Sequence, residues 1–434
     1  MSNAWLKRKL FWLKDGMSGA KMWQHYRDAR RIMQHPEKSQ AVLQQRLGDI
    51  LEYAQAHTRY YSGFEGKALS DFPVVNKNTI RSDYDAFIVG SKDGYVPHHT
   101  SGSTGTPFCA YQDKDSFIRR IATIKASNEE FGFHSCMPML FLRSLEIPDE
   151  SGRMLRYEKA QNIWYGYIAT YDDATFCSIV KFIFDKHIRF VKGYASVIEC
   201  LTEFVERTDT VLPRRLVFIT ISEILTENVR SRIVDRLGLH VVSQYANEEN
   251  GLLGQSVLDG PGTVFRLNRA VCKIELLDLD SDMPASMGQP GRVVVTDMTN
   301  RAMPMIRYDI GDVAVCLETL PDGEPLVIRL LDSRHIDMIR DTSGRIVPMV
   351  VPYQIWTLPS LRQLQFIQTD VKEYVLNLNL MSDSQNVDCE QMAQYIKDLL
   401  GQDAEVHVQV LNEMPQISTR KHKLCIQRCS RYHN

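Results

Sequence analysis

At 434 residues the chain is too long for one ordinary core, and its length predicts two or three domains. Lys plus Arg total 51 against 53 Asp plus Glu, a net charge of −2. This excludes the broad basic excess of a nucleic-acid-binding protein, so any polyanion must be held locally, as a nucleotide can be. Hydrophobic residues at 44% and charged residues at 24% give ordinary globular composition, and no stretch reaches the ~18 continuous apolar residues of a membrane span.

In chain order, the basic aromatic run from Trp5 to Lys14 lacks the small-residue cleavage pattern of a signal peptide. It is read as a helix packed on its own domain, with an anionic membrane surface as the alternative. Val42, Leu43, Leu47, Ile50, Leu51 and Ala54 keep three-four spacing, predicting a helix over 39–57. From about 85 to 330, short apolar runs (Phe141-Leu142, Ile188 to Val191, Leu216 to Ile219, Val241-Val242) alternate with helical patterns at 174–186, 195–206 and 226–237. That alternation implies crossover connections and largely parallel sheets, with a β-rich texture setting in from about 271. The last hundred residues read as a small α+β unit. Leu376, Leu378 and Leu380 alternate as a strand, Asp388 caps a helix stopped by Gly401, and Val406, Val408 and Val410 form the next strand. Nine scattered cysteines without a Cys-x-x-Cys pair point to reduced thiols in the cytoplasm.

Four stretches carry chemistry. Thr100 to Pro107 packs five hydroxyl side chains and two glycines around Ser101, Gly102, Ser103, Thr104 and Gly105. Glycines let backbone N–H groups turn toward an anion and hydroxyls add donors without bulk, yet the spacing is not that of a Walker A loop. Tyr245 to Gly251 offers an aromatic ring and two carboxylates, Glu248 and Glu249, either able to hold the Mg²⁺ that accompanies ATP. Arg307 to Asp312 is a polar turn whose carboxylates can accept both hydroxyls of a ribose. Arg420 to Lys423 is a short basic run. Taken singly, each has a plainer reading: a surface turn for 100–107, a solvated strand-to-helix turn for 245–251, an ordinary turn for 307–312 and a solvated run for 420–423.

Together and in this order, the four stretches resemble the adenylate-forming (AMP-binding) enzymes, in the branch of phenylacetate–CoA ligase and coenzyme-F synthetase-like proteins, including capsular polysaccharide relatives. Further stretches carry the resemblance: Tyr60-Tyr61, Pro73 to Lys77, Lys192 to Ser196, Ser222 to Leu225 and, most specific to the branch, Val295 to Tyr308. The implied fold is α/β, with a large multi-sheet N-terminal domain over residues 1–331, a hinge at 332–337 and a small mobile α+β domain over 338–434. The implied activity is AMP-forming: a carboxylic acid attacks ATP, pyrophosphate leaves, and the acyl group passes to CoA or an amine. By the same resemblance, Ser101 to Gly105 grip phosphates, Glu249 ligates Mg²⁺, Tyr245 lies along adenine, and Asp312 and Arg334 bind ribose. Lys421 matches the catalytic lysine, and Gly193, Tyr194, Ser222, Ala246 and Asn247 line the acid pocket.

Departures stand beside the matches. Ala246 replaces a family glycine, Glu248 a hydroxyl residue, Ser333 the glycine before the hinge arginine, and Arg420 the glycine before the lysine, so Lys423 competes with Lys421. Adenylyl transfer to a hydroxyl acceptor and a non-catalytic nucleotide-binding scaffold stay open, as does the oligomeric state, a homodimer included.

Overall fold

The computed structural model describes residues 3–64, 68–100, 108–144, 155–168, 172–332, 339–347, 355, 358, 361–380, 387–412, 425–429 and 431. The chain enters through α1 (Asn3–Met17), α2 (Lys21–Gln34) and α3 (Gln40–His57), the last buried by Leu43, Ile50, Leu51 and Ala54 as the spacing predicted. One side of α1 packs on its own protein. Lys7 donates to the Tyr157 hydroxyl at 2.6 Å, Arg8 pairs with Glu129 at 3.0 Å, and Trp12 meets the rings of Trp23 and Tyr26. A short helix, α4 (Lys77–Ser82), leads to an antiparallel pair, β1 (Val96–Thr100) and β2 (Phe108–Gln112), and then to α5 (Lys114–Asn128).

Twelve strands form the central sheet: β3 (Met139–Ser144), β4 (Leu155–Glu158), β5 (Ile163–Ile168), β6 (Phe190–Tyr194), β7 (Val217–Ile221), β8 (His240–Asn247), β9 (Gly251–Gln255), β10 (Val264–Leu267), β11 (Cys272–Leu277), β12 (Pro290–Asp297), β13 (Tyr308–Thr319) and β14 (Pro325–Asp332). Their spatial order is β11-β12-β13-β14-β10-β9-β8-β7-β6-β3-β5-β4. Only the run β5-β3-β6-β7-β8 is parallel. The helices α6 (Asp173–Asp185), α7 (Ala195–Thr208) and α8 (Glu227–Ser231) supply its crossovers, and a π turn (Arg232–Arg236) replaces the end of the predicted third helix. Beyond β8 the strands follow one another without helices and pair antiparallel, which corrects the expectation of largely parallel sheets.

The parallel strands are rich in apolar residues because both faces are covered. Val191, Phe218 and Val241 pack toward Phe176, Ile183 and Leu201 of the crossover helices; Phe190, Ile219 and Val242 pack against Phe131 and Phe133.

The C-terminal unit has its own core. The pair β15 (Ile339–Arg340) and β16 (Ile346–Val347) precedes a four-stranded sheet of β17 (Leu361–Gln368), β18 (Glu373–Leu380), β19 (Glu405–Val410) and β20 (Cys425–Gln427), ordered β19-β18-β17-β20. Helix α9 (Cys389–Leu400) buries Met392, Ile396 and Leu400 against Phe366, Leu376 and Leu378. Its ends are the predicted ones. The Asp388 side chain accepts from the Gln391 amide, and Gly401 takes φ +123 where a side chain would collide with Thr342.

Helix α7 also buries a carboxyl group, Glu199. Desolvation, reinforced by Glu203 and offset by Arg232 and Arg340, pushes its pKa from 4.5 up to about 7. The folded protein therefore holds this proton more tightly than the unfolded chain, and stability falls as pH rises from 4.5 to 7. Replacing Glu199 by Gln should leave the melting temperature unchanged near pH 4. Above pH 7 it should stabilise the protein by at most roughly 3 kcal/mol in a pH series of thermal unfolding.

Candidate active site

The site grows from a backbone tether. The Val75 amide donates to the Arg307 carbonyl at 3.0 Å, and the Asp309 amide donates to the Val75 carbonyl at 2.8 Å. One residue on, the Asn76 side chain accepts from the amides of Asn78 and Thr79, starting α4. Lys77 is thereby the first helical residue, and its ammonium reaches Oε1 of Glu249 at 2.7 Å. The Tyr308 hydroxyl lies 3.2 Å from the same oxygen. Glu249 is only 2% exposed, so its charge is held by a cation and a phenol in a nearly dry setting.

Glu249 sits in the turn between β8 and β9. Sequence reasoning allowed a strand-to-helix turn there; the structure instead makes a strand-to-strand connection. Asn247 accepts from the Asn250 amide at 2.7 Å, and Gly251 takes φ +83. Arg120 of α5 braces the turn from outside, donating to the carbonyls of Glu248 and Asn247 at 2.8 and 3.3 Å. It lies so close to Gly251 that a Cβ there would stand 2.8 Å from its Nε. The neighbouring Glu248 side chain is 58% exposed, with His98 and Arg120 each 3.9 Å away. The two adjacent acids therefore have distinct environments, one buried and ion-paired, the other solvated.

A second buried pair lies alongside. The Tyr245 hydroxyl donates to Oδ2 of Asp312 at 2.9 Å, both side chains being buried. The stretch 307–312, expected to be a polar turn, is the start of β13 from Tyr308 onward, with Arg307 just before the strand. Its irregularity is a register shift in the pairing with β12, where Gly311 at φ +80 donates its amide to Asp309. Arg307 serves the scaffold: from φ +50 it donates to the carbonyls of Ser70 and Phe72 and pairs with Glu275.

The expected pocket residues gather at the carboxyl ends of adjacent parallel strands. Gly193 and Tyr194 close β6, Ser222 follows β7 in a left-handed conformation, and Ala246 and Asn247 end β8. That edge is where open α/β sheets bind ligands. Ala246 is exposed, so its methyl group fits where the resemblance expected glycine. Lys192, part of the resembling stretch but given no site role from the sequence, stands beside them. It donates to Gln244 at 3.0 Å and lies 5.5 Å from the Phe141 ring, and desolvation lowers its pKa to about 8.

The expected phosphate-gripping residues Ser101, Gly102, Ser103, Thr104 and Gly105 lie outside the described residues, as do Ser333, Arg334 and the rest of the 332–337 hinge beyond Asp332, and Arg420, Lys421 and Lys423. Of the hydroxyl-rich stretch Thr100 is described: it pairs with Phe108, whose ring lies 5.6 Å from Lys77 and 5.9 Å from Arg81. Two cations thus stand beside Phe108, the first described residue after that stretch. Among the described residues, no cluster of three or more His, Cys, Asp or Glu is placed to hold a metal ion.

No family model matches the chain. Protein CapK of Staphylococcus aureus is 21% identical over 403 residues, covering 88% of each chain. Two solved structures of a 2-hydroxyisobutyryl-CoA ligase align over nearly the full length. One, in complex with 2-HIB-AMP and CoA in the thioesterification state, has a TM-score of 0.55 at 18% identity and covers 91% of this chain and 90% of its own. The other, in the postadenylation state with 2-HIB-AMP, has a TM-score of 0.53 at 18% identity, with 90% of each chain covered. The chain has the fold of the adenylate-forming enzymes. On that fold, Lys77 is the main residue sequence reasoning passed over. Its signal was present, a lysine directly after a capping Asn in the Pro73 to Lys77 stretch, but its partner is far along the chain.

The Lys77–Glu249 pair has a measurable signature. In a double-mutant cycle of Lys77→Met and Glu249→Gln, read by urea unfolding, the coupling energy should exceed about 1 kcal/mol, with each single variant costing more than the pair. Additive effects would show that the two charges do not depend on each other.

Proposed function

We propose that the protein is an ATP- and Mg²⁺-dependent AMP-forming ligase that converts a carboxylic acid into an acyl-adenylate and passes the acyl group to CoA or to an amine. The observation that carries this reading is the pairing of Tyr245 with Asp312 and Lys77 with Glu249, in a chain with the adenylate-forming fold. The solved ligase of the same fold holds 2-HIB-AMP and CoA, which supports an acid substrate and a thiol acceptor. The finer reading, a cytoplasmic role in surface polysaccharide synthesis within the phenylacetate–CoA ligase-like branch, rests on the resemblance carried by Val295 to Tyr308.

In this reading Asp312 and Arg334 hold the ribose, Tyr245 flanks the adenine, and Ser101 to Gly105 with Lys77 meet the phosphates. Gly193, Tyr194, Ser222, Ala246 and Asn247 line the acid pocket. Glu249 fits a Mg²⁺ ligand. Magnesium in nucleotide sites takes one or two carboxylates plus phosphate oxygens, and Glu249 is a buried carboxylate already held against a cation, Lys77. Bound Mg²⁺ supplies charge neutralisation between the attacking carboxylate and the α-phosphate. Lys421, on a small domain (338–434) turning about the hinge at 332–337 relative to residues 1–331, adds the second cation and then withdraws for acyl transfer.

Pyrophosphate release from Mg-ATP, measured over aryl, amino, hydroxy and uronic acids with hydroxylamine as trap, tests this. One acid should drive release, falling at least about 100-fold in Lys421→Ala and in Glu249→Gln. ATP binding without release on any acid would leave adenylyl transfer to a hydroxyl acceptor, or a scaffold, in its place.

A further inference from the structure

Helix α1 has two faces, and the fold uses only one. Trp12 packs on the core, the Phe11 ring meets Lys125 of α5, and Lys7 and Arg8 anchor to Tyr157 and Glu129. On the opposite side Leu6, Leu10, Leu13 and Met17 are 52, 54, 62 and 82% exposed. Their spacing of four, three and four places them in one narrow ridge along the helix. Trp5, 61% exposed, stands at one edge with the Lys9 ammonium 3.9 Å over its ring, and Lys14 stands at the other edge, exposed.

An apolar ridge between two lysines, with a tryptophan at the margin, suits a membrane interface. Leucine and methionine enter the headgroup–acyl boundary, lysines meet lipid phosphates, and indole prefers the level between them. The charge distribution points the same way. Residues 3–34 hold eight Lys and Arg against Asp15 and Asp28, in a chain whose net charge is −2. A second copy seated on the ridge would bring two basic faces together, whereas an anionic bilayer complements them. No helix among the described residues is long and apolar enough to cross a membrane, so the contact is peripheral.

We propose that α1 docks the protein on an anionic phospholipid surface, with Leu6, Leu10, Leu13 and Met17 inserted and Lys9 and Lys14 on the lipid phosphates. The inference is independent of the reaction proposed above, because it rests on a helix remote in sequence from the site residues.

The test is co-sedimentation of the full chain with phosphatidylcholine vesicles, and with vesicles containing about one third phosphatidylglycerol. The protein should bind the anionic vesicles at least tenfold better, and about 0.5 M salt should release it. The paired variants Leu10→Glu/Leu13→Glu and Lys9→Glu/Lys14→Glu should each lower bound protein at least tenfold with an unchanged melting temperature, since all four side chains are exposed. Binding to neither vesicle overturns the proposal, as does binding indifferent to lipid charge or to both variants. So does a dimer, seen by light scattering, that Leu10→Glu/Leu13→Glu converts to monomers, for then a second copy covers the ridge.

Discussion

A carboxylate as buried as Glu249 has to be compensated where it stands, and much of the site's architecture follows from how that is done. An isolated charge in such a setting costs several kcal/mol, so its cation must be delivered with fixed geometry. Lys77 meets that demand because the chain on either side of it is tied down. Val75 is hydrogen-bonded into the start of β13, and Asn76 opens a helix in the next step. The same β13 residue that bridges Val75, Tyr308, sends its hydroxyl to Glu249. Three segments distant in sequence are thus locked by one ion pair, and the β8–β9 turn, held by Arg120 from the other side, has little freedom left.

This explains why the stretch most specific to the resembled branch, Val295 to Tyr308, contains so little chemistry. Asp297 accepts from the Thr299 amide and hydroxyl and from the Asn300 amide, shaping a tight buried turn. Asn300 donates to the carbonyls of Tyr111 and Met303, and Ile306 exchanges hydrogen bonds with the buried Tyr61 hydroxyl. Arg307 then spends its guanidinium on backbone carbonyls. Each of these groups satisfies a buried polar atom, and their joint effect is to deliver Tyr308 and Asp312 in register. The motif is scaffold for the site, and Tyr61 and Val75, also part of the resemblance, are its contact points.

What the sequence made legible follows interaction range. Helices α3 and α9 and strands β3, β6, β7 and β8 of the parallel run were readable because periodicity and caps are local: Asp388 and Gln391 are three residues apart. The stretch 307–312 was misread as a turn because acids and a glycine look alike in a turn and in a strand irregularity. Only the partner strand β12, with Arg292 paired to Asp309, distinguishes them. The chemical residues Glu249, Tyr245 and Asp312 were reachable through resemblance, whereas their pairing with Lys77 and with each other is a long-range fact. Helix α1 was ambiguous between domain packing and a surface role because it has two apolar faces; burial shows that one packs inward and the other does not.

Under the proposed function, the Lys77–Glu249 pair also makes sense as a resting state. A site meant for a polyanion and a divalent cation needs donors of both signs, and each is a liability when the ligands are away. Placing the lysine on the glutamate lets each neutralise the other. When phosphates arrive, the lysine has a stronger anion to turn to and the carboxylate a stronger cation. Charge is then balanced before and after binding, and Tyr308, bonded to the same carboxylate oxygen, keeps that oxygen in place through the exchange. Asp312 is held in the same manner by the phenol of Tyr245, a neutral donor that a ribose hydroxyl can replace one for one.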